Sequence, residues 1–323
     1  MSGDVERFET VVIGGGQAGL SVGYHLARRK VDFVILEGRE RVGDQWRARW
    51  DSLRLFTPAR WNGLTGMPFP ARPDSFPTKD EMADFLEAYV ARFELPVRTG
   101  VRVDSLSRPG ERFLVTAGDR RFEADHVVVA MADYQKPWRP DFAAELDAGI
   151  VQLHSFEYRN PGQLREGPVL IVGAGNSGSE IAKELAPRHT VWMSGRDVGH
   201  IPFRIDSPAA HLVLIRLVLR VLFHRVLTVR TPIGRAARRR ILHKGGPLIR
   251  VKPVDLARLG VERVPRTVAV RDGLPALEDG RALEAANVGW CTGFRPGFDW
   301  IDLPVLDGGD PVHRSGIVDS EPG

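Results

Sequence analysis

The same glycine pattern occurs twice, and each copy constrains the chain on both sides of it: Val11-Val12-Ile13-Gly14-Gly15-Gly16-Gln17-Ala18-Gly19 and Leu170-Ile171-Val172-Gly173-Ala174-Gly175-Asn176-Ser177-Gly178. In each copy an apolar run, read as a buried parallel strand, enters a G-x-G-x-x-G turn and then a helix-like stretch, Leu20–Arg28 or Glu180–Leu185. The first glycine takes a backbone conformation that a side chain would forbid. The second lets the main chain approach a pyrophosphate, and the third lets the helix pack close to the strand. A diphosphate then rests on the unpaired N–H groups at the positive end of the helix. Two dinucleotide sites follow.

What distinguishes them is the tip of the next strand. After the first turn, Val31–Leu36 ends in Glu37, placed to accept hydrogen bonds from ribose hydroxyls and to repel a 2′-phosphate, so this site suits FAD or NAD. After the second, His189–Met193 is followed by Ser194-Gly195-Arg196, with no acid at the tip. The planar fork of Arg196 suits a 2′-phosphate, which points to NADPH.

At 323 residues and 43% hydrophobic, the chain is long enough for two domains with cores of their own. The expected fold class is α/β, with two Rossmann-like dinucleotide-binding domains. The NADPH domain (160–284) is inserted in the FAD domain, whose parts are 1–159 and 285–323. Lys136-Pro137-Trp138-Arg139-Pro140 breaks the pattern and reads as an exit from the first domain. Asn287–Cys291 is expected as a strand re-entering the first sheet. Arg39–Pro77 has no sustained period, and its Trp46, Trp50, Phe56, Trp61, Phe69 and Phe76 either line an apolar pocket or hold the first domain together. Thr78 and Glu81 form a capping box that opens a helix to about Phe93, and Glu111–Ala117 with Arg121–Ala130 reads as a hairpin.

The single cysteine, Cys291, excludes an intrachain disulfide and a C-x-x-C dithiol reductase, and the nine histidines show no metal-ligand spacing, so no metal site is expected. The polar start Met1–Glu9 does not resemble a signal sequence, which makes the cytoplasm the expected location. Between Ile201 and Arg266 there are 15 Lys and Arg against 3 Asp and Glu. Within this stretch His211–Val229 is rich in Leu and Val but broken by Arg216, Arg220 and Arg225, which argues against a membrane span and for a buried or interface helix. The cluster Arg235, Arg238, Arg239, Arg240 and Lys244 reads as a solvated face, with contact to anionic lipid, a partner or cofactor phosphates as alternatives. No nucleic-acid module accompanies the charge.

These motifs resemble the flavin-dependent monooxygenases of the FAD/NADPH two-domain type, which include the flavin-containing monooxygenases and the plant YUCCA enzymes. The likeness runs along essentially the whole chain. It rests on the two glycine turns, Val42-Gly43-Asp44-Gln45-Trp46 with Trp50-Asp51-Ser52-Leu53-Arg54-Leu55, Met67-Pro68-Phe69-Pro70 with Phe76-Pro77-Thr78-Lys79, His154-Ser155-Phe156-Glu157-Tyr158, and Thr292-Gly293-Phe294-Arg295-Pro296. The resemblance implies an NADPH-dependent, FAD-containing oxidoreductase. In that family NADPH reduces FAD, and the reduced flavin forms a C4a-(hydro)peroxide with O2 that oxygenates a small organic substrate. It further implies that Gly14, Gly16, Gln17, Ala18 and Gly19 wrap the FAD diphosphate, with Glu37 on its ribose and Gln45 and Trp46 near the flavin. Gly173, Gly175, Asn176, Ser177 and Gly178 would hold the NADPH diphosphate and Arg196 its 2′-phosphate. His154 and Tyr158 are the candidates for a catalytic or, more readily, a domain-coupling role.

Three departures stand out. Asp44 replaces a usual glycine, the glycine before His154 is displaced to Gly149, and near Leu55-Phe56-Thr57 no Asn is read as the flavin-proximal amide of the family pattern. The chain stops at Asp319-Ser320-Glu321-Pro322-Gly323, where the family pattern continues into another strand and a helix, so a truncated last part and an uncovered sheet edge are expected. Two alternatives stay open. One is an NADPH oxidase or flavin reductase that does not oxygenate; the other is a non-catalytic nucleotide-binding or redox-sensing protein. The oligomeric state is open, with 211–229 the place to look for an interface.

Overall fold

Apolar runs at both glycine turns form the centres of two separate sheets. The computed structural model describes residues 5–132, 134–207, 226, 228, 230–236, 246–307, 310–311, 313–314 and 317–318. The chain divides into two compact units, one made of Met1–Ala48, Thr57–Lys136 and Phe294–Gly323, the other of Arg49–Phe56 and Pro137–Gly293. Among the described residues no helix is long and apolar enough to cross a membrane.

In the first unit β1 (Val5–Ile13), β2 (Phe33–Leu36), β3 (Val97–Arg98), β4 (Ser105–Ser107), β5 (Phe113–Ala117) and β6 (Arg120–Val129) form one sheet in the order β3-β2-β1-β6-β5-β4. β1 runs parallel to β2 and β6, with Val11 opposite Val34 on one side and Val127 on the other. Such a central strand is covered on both faces, which is why Val11, Val12 and Ile13 are all apolar and buried instead of alternating with polar residues. β4, β5 and β6 form the antiparallel part, so the expected hairpin is present with an extra strand.

Helix α1 (Gln17–Arg28) makes the crossover from β1 to β2 and packs close to the sheet at Gly23, where a Cβ would lie 2.6 Å from Ile35 Cδ1. Helices α2 (Asp44–Arg47) and α3 (Lys79–Arg92) follow. α3 begins at the expected capping box: the Thr78 side chain accepts from the Glu81 N–H, and Glu81 accepts from the Thr78 N–H. Its buried face carries Phe85 and Tyr89 into contact with Phe69, Tyr24 and Phe93. Each such ring contributes roughly 1.5–3 kcal/mol through removal from water. On the sheet edge, Leu106 of β4 donates to the Trp300 carbonyl and accepts from the Asp302 N–H, so residues 300–302 line that edge.

The second unit contains β7 (Lys136–Pro137) at its boundary, then β8 (Val151–His154), β9 (Val169–Val172), β10 (Val191–Ser194), β11 (Glu262–Val264), a β12–β13 hairpin (Thr267–Arg271, Leu274–Leu277) and β14 (Asn287–Trp290). Its main sheet runs β11-β10-β9-β14-β8, every neighbouring pair parallel. Helices α4 (Asn176–Leu185) and α5 (Pro253–Arg258) cover one face over Ile171, Ile181, Met193 and Leu256. Leu170, Val172, Trp290 and Val264 fill the other face.

One expectation is corrected here. Asn287–Trp290 does not re-enter the first sheet but lies between β9 and β8, with Val288 opposite Leu170 and Gln152. Side chains lock that register. Trp290 Nε1 donates to Gln152 Oε1 at 3.0 Å, and the fully buried Asn287 amide pairs with both backbone groups of Arg165 at 3.0 and 2.9 Å. β8, which precedes the expected boundary at 160, belongs to this same sheet.

The aromatic stretch after β2 is divided between the units: Phe69 packs on Phe85 in the first, and Trp50 lies in the core of the second. The helix expected at 211–229 lies outside the described residues apart from 226 and 228, as do Arg238, Arg239, Arg240 and Lys244; Arg235 is exposed.

Candidate functional site

The first glycine turn is closed everywhere except at its second glycine. Gly14 has φ +111°, and a Cβ there would meet Ala130 C and O at 3.0 Å; one at Gly19 would come within 1.9 Å of the Gly14 carbonyl oxygen. Gly16 differs, with φ −79°, ψ −178° and open space out to 4 Å around the place a Cβ would take. It is also the N-cap of α1, with no side-chain cap and no acidic residue in the first turn. The N–H groups of Gln17, Ala18 and Gly19 therefore form the positively polarised start of the helix.

Glu37 braces this turn. Its Oε2 accepts from the Gly15 N–H and its Oε1 from the Arg39 N–H, both at 2.8 Å. Each oxygen keeps a lone pair for a further donor. Gln45, expected near the same site, is exposed and accepts a long 3.5 Å contact from Arg39 Nη2; Trp46 beside it is half-buried.

Asp44 has a structural reason. Gly43, at φ +87°, sits against Ala83, where a Cβ would be 2.7 Å from its carbonyl oxygen. Asp44 then accepts from the Arg41 N–H at 3.1 Å and from Arg47 Nη1 at 3.3 Å. Arg47 continues to the Val42 carbonyl, Asp84 and Glu87, clamping α2 onto α3. Hydrogen bonds to these carboxylates outweigh the burial that works against them and raise the Arg47 pKa. Asn62, overlooked in the sequence, folds its side-chain amide back onto the Thr57 carbonyl at 2.9 Å.

The second turn repeats the arrangement. A Cβ on Gly173 (φ +115°) would be 2.1 Å from the Cys291 carbonyl oxygen, and one on Gly178 would be 1.9 Å from that of Gly173. Gly175, with φ −80° and ψ −170°, has nothing within 4 Å. The backbone N–H groups of Asn176, Ser177 and Gly178 open the helix as in the first copy. The Asn176 side chain, however, is committed elsewhere: Nδ2 donates to the Pro247 carbonyl and Oδ1 accepts from the Ile249 N–H, each at 3.0 Å. Deeper in α4, burial raises the Glu180 pKa against the opposing pull of Arg250, 3.7 Å away.

At the tip of β10, Ser194 Oγ donates to the Pro265 carbonyl at 3.0 Å and accepts from the Thr267 N–H at 2.7 Å. Gly195 (φ +142°) packs against Ala174, and Arg196 follows, exposed. Arg263, which sequence reasoning missed, reaches the same tip from β11 by donating from Nη2 to the Gly195 carbonyl at 2.8 Å. The pairing of β11 with β10 brings Arg263 to the peptide that precedes Arg196.

His154 ends β8, across β14 from the turn, and Tyr158 reaches α4 at Glu184, away from the turn itself. The imidazole is fully buried. Its Nδ1 accepts from the Phe156 N–H at 3.1 Å, which places the ring proton on Nε2, donating to the Gly293 carbonyl at 3.0 Å. Burial lowers its pKa, so the neutral ring is the stable form. The Tyr158 hydroxyl donates to Glu184 at 2.9 Å, and burial holds its pKa far above the ordinary value. Burial likewise pushes the Cys291 thiol up to about 12, leaving it un-ionised. Among the described residues no group of His, Cys, Asp and Glu could hold a metal ion.

A family model described as pyridine nucleotide-disulphide oxidoreductase matches residues 11–200. An uncharacterized CzcO-like oxidoreductase of Geobacillus kaustophilus is 37% identical over 314 residues, covering 96% of this chain and 88% of the relative. Indole-3-pyruvate monooxygenase YUCCA1 of Oryza sativa subsp. japonica is 28% identical over 343 residues, covering 97% and 83%. Among solved structures, a flavin-containing monooxygenase from Stenotrophomonas maltophilia superposes with a TM-score of 0.68 at 31% identity, over 98% of this chain and 86% of that one.

Proposed function

Since the chain belongs to the flavin-containing monooxygenase family of pyridine nucleotide-disulphide oxidoreductases, we propose that it is an NADPH-dependent FAD enzyme that oxygenates a small organic substrate. One observation carries the assignment of two cofactors. Gly16 and Gly175 adopt backbone angles open to any residue and have no atom of the chain within 4 Å, so neither strain nor internal packing requires glycine there. A group that approaches the main chain does require it, and a diphosphate on a helix N-terminus is such a group.

Gly14, Gly16, Gln17, Ala18 and Gly19 would hold the FAD diphosphate, with the spare lone pairs of Glu37 turned to its ribose and Gln45 and Trp46 next along the chain. Gly173, Gly175, Ser177, Gly178 and the backbone of Asn176 would hold that of NADPH, and Arg196 its 2′-phosphate. When bound, the cofactors supply the redox chemistry, a hydride from the nicotinamide to the flavin and activation of dioxygen by the reduced flavin. The protein's part is to bind, orient and exclude water. His154 and Tyr158 act as positioning residues, since their polar atoms are engaged within their own unit.

The test is coupling. The purified protein with NADPH and oxygen, offered thioethers, amines and ketones, should release less hydrogen peroxide than the NADPH it consumes and form an oxygenated product from one class. Peroxide equal to NADPH with every class would make it an oxidase instead.

A further inference from the structure

Arg263 has no part in the family resemblance, yet its position is specific. β11 pairs with β10 so that Arg263 lies opposite Met193, and it shares with Met193 the sheet face covered by α4. From there its guanidinium extends past the end of β10 and donates from Nη2 to the Gly195 carbonyl at 2.8 Å. That carbonyl belongs to the peptide leading into Arg196. Arg263 of β11 is thus tied to the peptide that leads into Arg196 in the loop after β10, beside the helix N-terminus of the second turn.

The surroundings keep this pair in place. Ser194 ties the ends of β10 and β11 together through Pro265 and Thr267, and Gly195 cannot carry a side chain because a Cβ would be 2.9 Å from the Ala174 N–H nitrogen. The nearby acid, Asp197, accepts from the Gly199 N–H at 2.8 Å, which turns its carboxylate into the following loop. An arginine has five N–H donors, and the Gly195 carbonyl takes one of them. The Arg263 side chain is exposed, as that of Arg196 is, so its remaining N–H donors face solvent at the strand tip.

We propose that Arg263 is a second specificity-determining cation of the second nucleotide site, which together with Arg196 grips a 2′-phosphorylated adenosine. The proposal rests on the assignment of a dinucleotide to that turn. The two forks supply charge-assisted hydrogen bonds from two directions, whereas a single exposed arginine would be largely screened.

Calorimetric titration of the full protein with 2′,5′-ADP and with 5′-AMP separates the two ideas without any turnover. Wild type should bind 2′,5′-ADP at least tenfold more tightly than 5′-AMP. Arg263→Ala should lose about tenfold or more for 2′,5′-ADP and stay within about twofold for 5′-AMP. Arg263→Gln keeps an N–H donor for the Gly195 carbonyl but no charge, and it should show the same selective loss with an unchanged melting temperature. Unaltered 2′,5′-ADP affinity in both variants overturns the role of Arg263 while leaving the site intact. If wild type binds neither ligand, the assignment of a nucleotide to this turn falls, and the proposal with it.

Discussion

Asn176 accepts a hydrogen bond from the Ile249 N–H at 3.0 Å, and the same amide donates to Pro247 at 3.0 Å. The first residue of α4 is thereby stitched to a segment more than seventy residues away in sequence. That segment is anchored a second time, since Leu248 donates to the Gly199 carbonyl at 2.9 Å and accepts from the Ile201 N–H at 3.0 Å. Asn176→Ala removes two neutral hydrogen bonds and should cost about 1–3 kcal/mol. Hydrogen exchange at the Ile249 amide should accelerate, whereas the Leu248 amide, with a different partner, should change less. Equal acceleration at both would mean that the segment opens as one piece.

The glycines of one turn should respond in opposite ways. Gly19→Ala places a Cβ 1.9 Å from the Gly14 carbonyl oxygen, an overlap that has to move backbone, and a loss above about 3 kcal/mol is expected in denaturant melts. Gly16→Ala meets no atom of the chain and should keep stability within about 1 kcal/mol while the purified protein loses its flavin. A Gly16→Ala protein that retained full flavin would remove the diphosphate from that turn.

His154 makes stability depend on pH in a defined direction. Burial lowers its pKa in the fold from 6.5, so the unfolded chain binds the proton more readily. Its contribution is complete above about pH 6.5 and declines as pH falls towards the lower folded value. Urea midpoints measured at pH 7.5 and 5.5 should therefore drop more for wild type than for His154→Gln. An equal drop in both would show that other groups carry the pH dependence.

Arg196 should discriminate between nicotinamide cofactors. Arg196→Ala should weaken NADPH about tenfold or more and change NADH less than about twofold, measured by fluorescence titration, because only NADPH carries the extra phosphate. Matching losses for both cofactors would place Arg196 outside the phosphate site.

Local signals in the sequence reported local structure. The Thr78–Glu81 capping box needs only four residues in a row, and the strand–turn–helix units are encoded within each glycine pattern. What escaped was set by partners distant in the chain. An apolar run such as Asn287–Trp290 suits either sheet; its place is decided by Gln152, Arg165 and the register against β9. Trp50 could have packed with its sequence neighbours and instead lies in the core of the other unit. The glycine pattern places Asn176 at the second diphosphate without marking its side-chain partners, and Arg263 carries no signal of its own in the chain. One is a helix-opening polar residue and the other a strand arginine, and strand order and loop return supply their partners.

The most direct test is the colour of the protein and its response to reduced nicotinamide. Purified under gentle conditions, it should show a flavin band near about 450 nm, release FAD on denaturation, and bleach anaerobically with NADPH faster than with NADH. A colourless protein that takes up no FAD, or a flavin that NADPH does not reduce, would contradict the account.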